Sequence, residues 1–208
     1  MKKGKLIIFE GVDGVGKSTI IDGLLKKLNE SNNESVFLKT REPGGTELAE
    51  TIRNKIFSYG PELDTKLQFQ LFHTARVVHF LDKIKPALDA GINVICDRHY
   101  LSTIVYQKSN INRIISMTRE LMGDYDEQIY NVILNPIDLS QLNINDKSDK
   151  NSYDDQKLLE EKYQWYIDIF NMQDDLNLVG EVYIMDVTRD LNQNIEVILP
   201  LIEDILND

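Results

Sequence analysis

The chain has 208 residues, a formal net charge of −11 at pH 7 and one cysteine. That length suits one α/β domain with a sizeable core. Cys96 alone excludes an intrachain disulfide, and an acidic chain without a clustered basic face is a poor ligand for nucleic acid or a membrane surface. A reduced, cytoplasmic setting is expected, because the apolar run near Met1 is too short for a signal peptide or an anchor.

Leu6 to Phe9 predict a strand, and Gly11-Val12-Asp13-Gly14-Val15-Gly16-Lys17-Ser18 then satisfies G-x-x-x-x-G-K-[ST] in full, with Thr19 following. Glycines at these spacings let successive N–H groups turn inward as an anion cradle at a helix start. Lys17 supplies a point charge to the outer phosphates, and the Ser18 hydroxyl is a ligand for Mg²⁺, which prefers oxygen. A nucleoside triphosphate is the expected ligand.

Ile20, Ile21, Leu24, Leu25 and Leu28 recur at helical spacing, and Ser35 to Thr40 predict a second strand. The loop Arg41-Glu42-Pro43-Gly44-Gly45-Thr46 follows, then a helix from Glu47 to Phe57 that carries Arg53. A bent helical stretch is expected over Leu63–Ala90, in which Phe72 and Arg76 share a face. Gly91 to Arg98 form a third strand ending in Asp97 and Arg98, charges expected to face the ligand crevice of a parallel sheet. A short helix holds Ser102, Thr103, Tyr106 and Gln107; another runs from about Asn112 to Met122, and Tyr130 to Leu134 predict a fourth strand. The polar stretch 143–155 reads as a mobile surface segment, either a lid or a plain loop. Helix resumes over Leu158 to about Leu178, a fifth strand spans Glu181 to Met185, and Leu191 to Leu206 close the chain. Five strands alternating with helices predict a three-layer α/β fold: a five-stranded parallel sheet flanked by helices in a single domain, 1–208.

Four segments together resemble the bacterial thymidylate kinases: Phe9 to Thr19, Thr40 to Thr46, Leu71 to Arg76, and Cys96 to Thr103 with Tyr106-Gln107. The resemblance implies a P-loop nucleoside monophosphate kinase that transfers the γ-phosphoryl group of ATP to dTMP with Mg²⁺, as a homodimer. It implies ATP binding by Gly11 to Thr19 and charge stabilisation by Lys17 and Arg98. Ser18 and Asp97 would serve the metal, and Asp13 and Glu42 would lie near the sugar 3′-hydroxyl and the metal waters. Arg53 would hold the monophosphate, Phe72 stack on the base, Arg76 reach the thymine O4, Ser102, Thr103 and Gln107 add polar contacts, and Tyr106 crowd C2′. Taken singly, Phe72, Tyr106 and the Asp97-Arg98 pair each have an ordinary structural explanation. His73, His79 and His99 form no metal-ligand pattern.

The chain departs from the family in its lid. Arginines common there are absent, and Lys147 and Lys150 stand in their place, with Lys150 the candidate catalytic cation. Lysine brings charge without the bidentate fork of arginine. Three readings follow: a kinase for dTMP or another deoxypyrimidine monophosphate, a deoxynucleoside kinase with Glu42 as base, and a catalytically weak nucleotide-binding homologue. Asp186-Val187-Thr188 loosely match the segment that lines adenine.

Overall fold

A computed structural model describes residues 2–30, 35–107, 111–142 and 156–207. Its centre is a five-stranded parallel sheet in the order β2-β3-β1-β4-β5, formed by β1 (Leu6–Glu10), β2 (Phe37–Arg41), β3 (Asn93–Asp97), β4 (Ile129–Pro136) and β5 (Glu181–Val187). β1 lies in the middle, with Leu6 opposite Val94 on one side and Ile129 on the other. All five of its residues are buried, which is why the run reads as continuously apolar up to Glu10. The edge strands β2 and β5 are mostly half-buried or exposed.

Helices α1 (Lys17–Glu30), α2 (Glu47–Tyr59), α3 (Thr65–His79), α4 (Lys85–Asp89), α5 (Tyr100–Gln107), α6 (Ile111–Met122), α7 (Gln156–Asn171), α8 (Gln173–Leu176) and α9 (Leu191–Asn207) flank the sheet. α2 begins at a Thr46 cap whose hydroxyl accepts the Ala49 N–H, and α3 at Asp64, whose carboxylate accepts from Lys66 and Leu67. The bend expected between residues 63 and 90 is a π-helical turn, Phe80–Ile84, in which the Lys85 N–H bonds the Phe80 carbonyl five residues back. Pro86 follows directly and has no N–H to continue the α-helical ladder. Cys96 is fully buried in β3.

This order places the carboxyl ends of β1 and β3 side by side while their crossovers leave in opposite directions, to β2 and to β4. A ligand crevice forms at such a switch point. Phe9 pairs with Asp97 across it, and the Arg98 N–H donates to the Phe9 carbonyl at 2.9 Å.

Candidate active site

The phosphate loop leaves β1 through glycines that take backbone angles closed to other residues, Gly11 at φ 143°, Gly14 at 78° and Gly16 at 89°. A Cβ on Gly11 would also lie 3.0 Å from the Leu134 carbonyl. Lys17 opens α1, and its ammonium donates to the carbonyls of Gly11 (3.0 Å) and Val12 (2.9 Å) within its own loop. Burial, with Arg98 nearby, pushes its pKa from the ordinary 10.5 down to about 8 although Asp97, Asp13 and Glu10 pull the other way. The loop therefore stores a desolvated positive charge that an anion would relieve.

Ser18 donates to Asp97 Oδ2 at 2.7 Å, while the other carboxylate oxygen, Oδ1, is buried without a hydrogen-bond partner. A hydroxyl and a carboxylate with an unsatisfied oxygen suit a hard cation that takes its remaining ligands from water and phosphate. Among the described residues no cluster of three His, Cys, Asp or Glu could hold a metal by itself, which fits such a shared site and no all-protein cage.

Arg98 is a non-glycine residue in the left-handed region, at φ 69°, a conformation that persists only where surrounding contacts over-determine it. Those contacts are present. Its guanidinium donates to the Gly11 carbonyl and to Ser102 Oγ, both at 3.1 Å, pairs with Asp13, and lies 4.9 Å from the centroid of the Tyr106 ring. Burial disfavours its charge, but Tyr106 and Asp13 outweigh burial and hold its pKa well above the ordinary value. The Tyr106 hydroxyl donates to Asp13 Oδ2 at 2.9 Å. Burial works to raise the Asp13 pKa, yet Arg98, Lys17, Tyr106 and Lys162 together keep it below the usual carboxylate range.

The other end of the cavity is cross-linked through Glu42. Its carboxylate, only 4% exposed, accepts from Arg76 Nε at 2.7 Å, and the Nδ1 of His79 and the Nε2 of His99 each lie 3.2 Å from its Oε1. Burial pushes Glu42 up, but His99 and Arg76, with a hydrogen bond to His79, hold its pKa well below the carboxylate range. Arg76 also donates to Thr103 Oγ1 (2.7 Å) and to the His99 carbonyl (3.2 Å). The loop before α2 must be glycine at position 45, since a Cβ there would meet His79 Nε2 at 2.3 Å. Phe72 stands edge-on to Phe57, with centroids 6.4 Å apart, and Arg53 donates to the Pro43 carbonyl at 2.9 Å while packing on Phe57.

These residues line one cavity of about 320 Å³, which brings together Asp13, Ser18, Glu42, Arg53, Phe72, Arg76, Asp97, Arg98, Ser102, Thr103, Tyr106 and Gln107. A second cleft lies across the phosphate loop, where Gly14, Gly16 and Thr19 meet Pro136, Asp138, Thr188 and Asn194. Val187 and Thr188, of the segment 186–188 expected to face adenine, line this cleft. The 143–155 segment, with Lys147 and Lys150, lies outside the described residues.

Several contributors were not singled out from the sequence. Glu10, fully buried at the end of β1, accepts the His99 and Ser102 N–H groups at the start of α5 and the Ser102 hydroxyl at 2.5 Å. Tyr166 donates to the same carboxylate at 3.0 Å. His79 and His99, given no role above, both meet Glu42. Lys162 lines the cavity from α7 with its ammonium 4.0 Å from the Tyr106 ring centroid. A carboxylate ending an apolar strand, and a lysine on the apolar stripe of a helix, were the signals available for Glu10 and Lys162.

The sheet order, the phosphate loop and the paired cavities define a P-loop kinase fold of the nucleoside monophosphate type. Residues 9–195 match the family described as thymidylate kinase, and the chain belongs to that family. The thymidylate kinase of Francisella tularensis subsp. holarctica (strain OSU18) is 38% identical over 125 residues, 59% of this chain and 59% of that protein. That of Ligilactobacillus salivarius (strain UCC118) is 40% identical over 106 residues, 50% of each. The chain thus spans little more than half the length of these curated relatives. The crystal structure of thymidylate kinase from Ehrlichia chaffeensis superposes with a TM-score of 0.74 at 25% identity, covering 96% of this chain and 99% of that one.

Proposed function

We propose that this chain transfers the γ-phosphoryl group of ATP to the 5′-phosphate of dTMP, giving ADP and dTDP. The observation that carries the reading is a single cavity lined both by Asp13 and Ser18 of the phosphate loop with Arg98, and by an aromatic ring with a cation, Phe72 and Arg76, while Gly14 and Gly16 of the same loop line the neighbouring cleft. A pyrimidine offers a flat face to a ring and carbonyls to a guanidinium. An acceptor oxygen of dTMP would bond to the γ-phosphorus as the bond to the β–γ bridging oxygen breaks and ADP leaves. The acceptor is already anionic, so no general base is required, and catalysis reduces to alignment and charge compensation.

The loop N–H groups and Lys17 would hold the donor phosphates, and Arg98 would bridge donor and acceptor. Arg53 would hold the monophosphate, and Tyr106 and Asp13 would face the sugar. Ser18 and Asp97 would hold Mg²⁺, which when bound offsets phosphate charge. Thr103 would tie Arg76 to its base-reading position, with Ser102 and Gln107 completing the wall. Lys150 and Lys147 would supply lid cations from segment 143–155. We place the enzyme in the cytoplasm and, by analogy with the family, as a homodimer, with which the exposed Leu67 of α3 and Leu81 of the π-helical turn are compatible. No described helix is long and apolar enough to cross a membrane.

The deoxynucleoside kinase reading needs Glu42 as a free base. Its engagement by Arg76, His79 and His99 weighs against that role. The test is ADP release from ATP and magnesium with dTMP, dUMP, dCMP, dGMP and thymidine offered in parallel. Fast turnover of dTMP, slower turnover of dUMP and none of thymidine is the expected pattern. Turnover of thymidine in preference to dTMP would overturn the assignment, and silence with every acceptor would leave a nucleotide-binding homologue.

A further inference from the structure

We propose that Lys162 is a catalytic cation, contacting the phosphoryl group in transit from the α7 side of the cavity. Four observations on α7 carry this. Lys162 is only 7% exposed, although a lysine on a surface helix ordinarily keeps its ammonium in water. It occupies the buried stripe Leu159, Lys162, Tyr166, Ile169, so the helix turns it inward. Four residues on, and on the same face, Tyr166 bonds both Glu10 and Ser102 at 3.0 Å, which fixes this part of α7 against the ends of β1 and α5. Its ammonium lies 4.0 Å from the Tyr106 ring centroid, in the cavity that also presents Asp13, Ser18, Asp97 and Arg98.

The position suits charge compensation. Asp13 already receives Arg98 and the Tyr106 hydroxyl, and it feels Lys17 and Lys162 as well. Three cations thus surround the carboxylate that closes this end of the cavity, one each from α1, the end of β3 and α7. Phosphoryl transfer spreads negative charge over equatorial oxygens that no single cation can reach. A compact ammonium on a flexible stem, already inside the cavity beside Tyr106, is a point charge that can turn toward such an oxygen. Lys162 would then act on the reacting group from α7, which gives this chain a cation held on its packed framework.

This inference rests on the proposed phosphoryl transfer. The test compares the parent protein with Lys162→Met, which keeps the stem over Tyr106 without the charge, and with Lys162→Arg. Steady-state kinetics with ATP and dTMP should show kcat falling about 10²-fold in Lys162→Met while the KM for dTMP moves less than about threefold, with Lys162→Arg within about tenfold of the parent. A second readout needs no turnover. Binding of ADP with aluminium fluoride in the presence of dTMP, a planar mimic of the transferring group, should weaken about 10²-fold in Lys162→Met, while binding of dTMP alone is preserved. A kcat within threefold of the parent, or a loss confined to KM, would overturn the proposal. Equal loss in Lys162→Met and Lys162→Arg, with a lowered melting temperature in both, would assign the residue to packing. Should Lys162→Met not fold, Lys162→Gln carries the same comparisons. Inactivity of the parent removes the proposed function itself, whereas an active parent with an unaffected Lys162→Met removes this inference alone.

Discussion

The two ends of the cavity are both rich in buried charge, yet they are bonded in opposite ways. At one end, Arg76 and Glu42 satisfy one another, with His79, His99, Thr103 and the His99 carbonyl completing the set, so the buried charges are paired within the protein. At the phosphate end, Lys17 rests on carbonyls of its own loop, Arg98 on Gly11 and Asp13, and Ser18 on Asp97. On the proposed function, phosphate oxygens and a metal would take over those contacts. The difference teaches that one end is built for shape and the other for charge held in readiness. Loss of a group should therefore cost stability at the first and rate at the second.

The largest expected effect breaks the phosphate end. Arg98→Ala should lower kcat about 10³-fold or more, the scale of removing an arginine that offsets transition-state charge, with a melting temperature close to the parent's. A melt lowered as severely as the rate would erase the contrast between the two ends. Next in size, Glu42→Gln should destabilise the protein by about 3–5 kcal/mol at pH 7, because Arg76 is left as an uncompensated buried charge. Glu42 has its pKa held below the ordinary 4.5, so its contribution is present above that value and is lost as pH falls through the lower, folded one. Thermal melts of parent and variant should accordingly converge as the pH drops below 4.5.

Smaller effects sharpen the comparison. Thr103→Val leaves one Arg76 N–H without its acceptor and should cost about 1–2 kcal/mol, read as a higher KM for dTMP with kcat nearly unchanged. Lys17→Met should abolish turnover yet slightly stabilise the nucleotide-free protein. The drop from 10.5 to about 8 corresponds to about 3 kcal/mol of cost for the charged form at neutral pH. Loss of two hydrogen bonds to carbonyls offsets about 2 kcal/mol of that, which leaves a gain of about 1 kcal/mol, or about 2–4 °C in Tm. Because the unfolded chain binds the proton more tightly, the parent should recover this cost as pH rises from about 8 to 10.5, and the order of the two melts should reverse, the hydrogen bonds then leaving the parent about 2 kcal/mol the more stable.

Most of the frame was legible in the sequence because it depends on local pattern. An apolar run leading into Gly11 marked β1, one that follows Gly91 and ends in Asp97-Arg98 marked β3, helical periodicity marked α1 and α9, and the phosphate loop announced its own chemistry. Most strand and helix ends moved by a residue or two, but the single helix expected over Leu158 to about Leu178 is broken at Met172 into α7 and the short α8, which ends before a left-handed Asn177. Long-range pairing was less visible. Glu42 read as a carboxylate beside the sugar and metal waters, and its partnership with His79 and His99 joins residues 37 and 57 positions apart that no periodicity links. Glu10, just before the phosphate loop, had no assigned part and is the anchor for the start of α5. Lys162 sat on an apolar stripe where its charge was the anomaly, a signal that becomes meaningful once α7 is seen to pack beside Tyr106.

The most direct test follows the phosphorus atom. Incubation of the protein with γ-labelled ATP, magnesium and dTMP, with products separated by ion exchange, should place the label in dTDP and leave ADP unlabelled, in amounts that rise together. Label recovered as inorganic phosphate, or on thymidine supplied in place of dTMP, would contradict the reading of the cavity as a site where one nucleotide's phosphate meets another's.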